Sequence, residues 1–139
     1  MRSELLIYPL LAHIIWVVFL YALLTICRAP AVWNIGSGKI NDNTWKRFET
    51  KVSANLSNQF EWPIFFYVIC VLFMSSDQSI SSLAIVASWV FVCGRLLHSG
   101  VQILIDNIRL RGAVFTINFL AVVLMWLLYA VENLSLIHI

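Results

Sequence analysis

The chain has 139 residues, 61% hydrophobic and 12% charged, with a mean hydropathy of +0.88. A soluble domain would be about half apolar and about a quarter charged, so the composition excludes a soluble globule and points to one integral membrane domain spanning the chain. A net charge of +2 without a basic cluster argues against a nucleic-acid partner.

Four apolar runs follow in order. Residues 5–27, interrupted by His13 and Thr25, form the first. This run is longer than the apolar core of a signal peptide, about 7–15 residues, and reads as a span. Residues 28–54 are the one long connection. Its "NIGSGKINDNT" is turn-rich, and "WKRFETKVSAN" reads as a helix leading into the second span. That span covers residues 56–74, with Pro63 removing a backbone donor near its start. The third run, from residue 80 to about residue 105, turns polar in its second half, and the fourth covers residues 113–131. Crossing the hydrocarbon takes about 20 helical residues. The runs must be helices, because open strands would leave backbone groups unpaired in lipid. The expected fold is an all-α, four-helix membrane bundle. Cys27, Cys70 and Cys93 lack metal-ligand spacing and read as thiols facing lipid or core.

Arg28, Lys39, Lys46, Arg47 and Lys51 lie between the first two spans, and Arg109 and Arg111 between the last two. The opposite side carries only Arg2. The positive-inside rule places the basic loops in the cytoplasm and both termini outside it.

Arg95, His98, Ser99, Gln102 and Asp106 fall on one stripe of the third helix, with Arg109 continuing it. Charges inside a membrane face a bundle interior or a wet cavity. In "NQFEWPIFFY", Asn58 and Glu61 share a helical face, and Glu61 is expected to meet Arg95 from the neighbouring span. Asn58 can bridge to His98 or Gln102. Two readings stay open: a network that fixes helix packing, or an anion-binding cavity open to the cytoplasm. His13 reads as a packed or water-linked histidine, and Asn118 as interhelical glue. Gly94 and Gly100 permit close helix approach, and the tryptophans, Trp62 and Trp126 among them, read mostly as interface anchors.

"NQFEWPIFFY" together with "GRLLHSGVQ" resembles the MAPEG superfamily, the membrane-associated proteins of eicosanoid and glutathione metabolism, and above all its bacterial members. The resemblance runs from about residue 52 to residue 126. It implies a homotrimer of left-handed four-helix bundles, with glutathione as co-substrate bound between subunits near the cytoplasmic face. A bacterial inner membrane is then expected rather than the endoplasmic reticulum. By the same resemblance, Asn58, Glu61, Arg95, His98 and Gln102 belong to the binding site, with Glu61 meeting the amino end of glutathione. Arg111 stands where catalytic members keep the arginine that stabilises the thiolate. Ala54 and Gln102 depart from the pattern, since the glutathione-using enzymes typically carry arginine at the first position and often tyrosine at the second.

Three function classes follow. One is a glutathione-dependent transferase or peroxidase acting on hydrophobic electrophiles from the lipid. Another is a non-catalytic member that binds a lipid or a partner. The last is a small exporter, although exporters usually place a carboxylate in the first span, where this chain has only His13.

Overall fold

The computed structural model describes residues 2–33 and 43–137. They form a 3-10 turn, Ser3–Leu6, and five helices: α1 (Ile7–Trp33), α2 (Asn43–Asn58), α3 (Pro63–Ser75), α4 (Ser82–Leu104) and α5 (Ile108–Ile137). Most of the turn-rich stretch, Lys39 included, lies outside the described residues, as does the end of the tail. α2 and α3 are two halves of one span. Four segments are therefore long and apolar enough to cross a membrane: Ser3–Trp33, Thr44–Ser75, Ser82–Leu104 and Ile108–Ser135.

Pro63 divides the second segment. It has no N–H to offer the carbonyl of Gln59, and its ring crowds that carbonyl. The backbone ahead of it tightens to bonds reaching back three residues: Gln59 N–H to Leu56 O at 3.1 Å, Phe60 N–H to Ser57 O at 3.1 Å, and Glu61 N–H to Asn58 O at 3.4 Å. The helix then restarts with Pro63 in its first turn, where the missing donor costs nothing.

α4 opens on Ser81, whose side chain accepts from Ala84 N–H at 3.3 Å, and closes at Ile105, which is extended. Asn107 then caps α5 by accepting from Leu110 N–H at 3.1 Å. α4 and α5 pack on each other more extensively than any other pair. Gly94 makes this possible: a Cβ there would lie 1.8 Å from Asn118 Oδ1. Gly100 borders open space and is not part of that approach. Asn118 is fully buried, yet among the described residues neither end of its amide has a partner. It fills the notch at Gly94 and forms no hydrogen-bonded glue.

Two apolar clusters fill the bundle. One gathers Leu6, Leu10, Phe66, Phe73, Phe91 and Met125, among others. The other, nearer the basic end, holds Leu20, Leu24, Val52, Leu56 and Ile103. Ile15, Ile26, Leu97 and Leu104 face outward, a favourable position for apolar side chains only against lipid or another subunit. All three cysteines are free; Cys27 and Cys70 are buried and Cys93 is exposed.

Candidate functional site

Between the two clusters lies a polar layer built from α1, α4 and the α2–α3 break. Arg95, 1% exposed, donates from Nε to Gln59 Oε1 at 3.2 Å. Gln59 Oε1 also meets His13 Nε2 at 2.9 Å, and His13 Nδ1 meets the Tyr67 hydroxyl. Gln59 Nε2 donates to Asn55 Oδ1 at 3.2 Å and Ser99 Oγ at 3.4 Å. Ser99 donates to Asn55 Oδ1 at 2.8 Å and accepts from Trp16 Nε1 at 3.0 Å. Asn55 Nδ2 and Asn58 Nδ2 then donate to Gln102 Oε1, at 2.8 and 3.2 Å.

Bond directions within this layer are determined by chemistry. A guanidinium only donates, so the Gln59 atom facing Arg95 is its oxygen. His13 must then donate from Nε2, which leaves Nδ1 to accept the Tyr67 proton. Gln59 Nε2 is a donor, so Asn55 presents its oxygen to it and its Nδ2 to Gln102. Neutral amides with complete partners are far cheaper to bury than a charge pair with gaps.

The expected Glu61–Arg95 pair is not formed. Glu61 is exposed, and among the described residues its carboxylate has no hydrogen bond or ion pair. The shared face of Asn58 and Glu61 presumed a continuous helix, and the Pro63 break ends that phase at Asn58. Gln59 turns inward in place of the acid. Asn58 does reach Gln102, one of its two expected partners, but not His98. His98 is buried beside Phe115, with ring centres 6.1 Å apart. Among the described residues neither His98 Nδ1 nor Arg95 Nη2 has a hydrogen-bond partner. The α4 stripe ends at Gln102. Asp106 lies beyond the helix and is exposed, and Arg109 belongs to α5.

At the basic end, a cavity of about 290 Å³ opens between α2 and the α4–α5 turn. Thr50, Lys51, Ala54, Gln102, Asp106 and Arg111 are among its lining residues. Arg111 sits in the first turn of α5, exposed and without a side-chain partner among the described residues. Asp106 accepts from Lys51 Nζ at 2.5 Å and from Arg47 Nη2 at 3.4 Å. The hydrogen bond and charge of Lys51, with Arg47 assisting, hold its carboxyl below the usual range. Asp106 thus ties α2 to the turn. Neither Glu61, Arg95 nor His98 lines this cavity.

The model of the MAPEG family matches residues 6–131, nearly the whole chain. The chain belongs to the MAPEG family. No curated protein and no solved structure matches it. The four helices long and apolar enough to cross a membrane fit a multi-pass membrane member of this family. Of the polar layer, Asn55, Gln59, Tyr67 and Trp16 were not singled out from sequence. Asn55 and Gln59 sit four apart beside the Asn58 motif, a spacing that would have marked one inward face.

Proposed function

We propose that this MAPEG protein is a glutathione-dependent transferase or peroxidase acting on hydrophobic electrophiles delivered from the lipid, with Arg111 as the thiolate-stabilising residue. One observation carries the reading: Ala54, Gln102 and Arg111, three positions the resemblance marks at separate points of the chain, line a single cavity. Glu61, exposed and without a hydrogen bond or ion pair among the described residues, is the acid the resemblance assigns to the amino end of the ligand, although it does not line this cavity. In a homotrimer with both termini outside, probe and product would reach this end from the cytoplasm of a bacterial cell, while lipid surrounds the apolar flanks.

A free thiol has a pKa of about 8.5, and an adjacent guanidinium lowers it. The thiol proton leaves to water, and the thiolate sulfur attacks an electrophilic carbon. A sulfur–carbon bond forms, and the displaced electron pair departs with the leaving group. At neutral pH, mixing the protein with glutathione should produce thiolate absorbance in the ultraviolet. Arg111→Ala should abolish that signal while leaving the size of the assembly in mild detergent unchanged. An undiminished signal in the variant would remove Arg111 from the role.

A second reading has its own support. Trp62, Phe65, Val123, Trp126, Leu127 and Ala130 line a wholly apolar groove of about 480 Å³ between α3 and α5. A non-catalytic member holding a lipid there would bind acyl chains yet give no thiolate signal.

A further inference from the structure

A second concavity, of about 630 Å³, opens near the start of α2 and is lined by Lys46, Arg47, Thr50 and Lys51. Lys46 and Thr50 are one turn apart, as are Arg47 and Lys51, so the four share one face of the helix. Val52 and Leu56 turn the opposite face to the core. Among the described residues the Lys46 ammonium has no hydrogen bond or ion pair. Arg47 and Lys51 share a single carboxylate, Asp106, and each gives it one N–H. Donors therefore remain on both. Thr50 gives its proton to Lys46 O at 2.8 Å and turns an acceptor to the recess. Three cations thus stand against one carboxylate, and most of the positive charge is unspent. The depth of the recess follows from Asp106. One segment apolar enough to cross a membrane ends at Leu104 and the next begins at Ile108. Asp106 and the cations that hold it lie between those ends, at headgroup level. Trp45, beside Lys46, donates from Nε1 to Cys27 O at 3.0 Å, and such indoles favour the same level.

We propose that this recess holds the phosphate of an anionic phospholipid from the leaflet at the basic end of the bundle, with Lys46 as its free cation and Arg47 and Lys51 beside it. A phosphodiester only accepts, so it matches the ammonium and guanidinium N–H groups. A zwitterionic lipid would bring a cation of its own to a recess already in positive excess. The recess is open, so salt screens its cations from a dissolved anion. A lipid phosphate is held at this depth by its acyl chains, and each Lys or Arg beside an anionic surface strengthens attachment by about fivefold. Asn58, Glu61, Arg95, His98, Gln102 and Arg111 do not line the recess, so the site is separate from the glutathione reading.

Lys46 is the residue to change, because it is exposed and its side chain bonds nothing among the described residues. Its substitutions should leave unfolding in lipid-free detergent unmoved. The whole protein in mild detergent is offered equal amounts of phosphatidylglycerol and phosphatidylcholine with identical acyl chains. The lipid retained is read by native mass spectrometry. Phosphatidylglycerol should be retained in preference, and Lys46→Gln should need about fivefold more of it for half-saturation. Lys46→Arg should keep the preference. Lys46→Glu should lose it, because the new carboxylate with Asp106 balances Arg47 and Lys51. Inorganic phosphate in large excess should leave the lipid in place. Equal retention of the two lipids, or an unchanged half-saturation in Lys46→Gln, overturns the proposal. Displacement by inorganic phosphate also overturns it, since the recess would then be a site for a dissolved anion. The lipid preference is expected whether or not glutathione binds.

Discussion

Gln59→Ala should destabilise the protein by about 3–5 kcal/mol in detergent unfolding measurements, whereas Glu61→Ala should stay within about 0.5 kcal/mol of the parent. Gln59 is 1% exposed and serves Arg95, His13, Asn55 and Ser99 at once. Its loss strands the Arg95 Nε–H and the His13 Nε2–H in a layer closed on both sides by apolar clusters. A buried donor left without a partner costs about 1–3 kcal/mol, and more when it carries charge. Glu61 is exposed and unbonded among the described residues, so its removal strands nothing. Equal losses from the two substitutions would mean that Glu61, not Gln59, is the partner of Arg95.

Gly94→Ala should cost about 1–3 kcal/mol, the usual penalty of overpacking. The added methyl would sit 1.8 Å from Asn118 Oδ1, and Asn118 is fully buried. Asn118→Ala on its own should be far milder, since it removes an amide whose two ends have no partner among the described residues. Combined, the substitutions should cost clearly less than their sum, because the small residue at 118 accepts the new methyl. Unfolding of the four proteins in one detergent gives the cycle; strict additivity would mean that α4 and α5 do not meet at this pair.

The four spans were legible because their signal is local. Each is an apolar run of sufficient length, and the basic connections between them stand out against a chain poor in charge. The α4 stripe from Arg95 to Gln102 was legible for the same reason, as periodicity within one helix. Its continuation to Asp106 and Arg109 was not, because α4 stops at an extended Ile105 with no glycine or proline to announce it. The pairing of Glu61 failed at a point the sequence did mark. Pro63 was visible as a missing donor, but that loss breaks the helix several residues upstream, and the turn it creates exchanges the inward and outward positions of Gln59 and Glu61. The partners of His13 lie far along the chain, at Gln59 and Tyr67, so periodicity could register a buried histidine without naming what it holds. Asn118 was read as a bonding residue from its polarity, yet its placement follows from shape, the absence of a side chain at Gly94.

Calorimetric titration of the protein with glutathione, repeated near neutral pH in buffers of different ionisation enthalpy, bears most directly on whether Arg111 and the cavity beside it hold a thiolate. Binding that ionises the thiol releases a proton to the buffer, so the heat per mole of glutathione should be saturable and should change with the buffer. Arg111→Ala should remove the buffer dependence. Absence of binding at millimolar glutathione, or saturable heat that is the same in every buffer, would contradict the thiolate reading and favour the lipid-holding alternative at the α3–α5 groove.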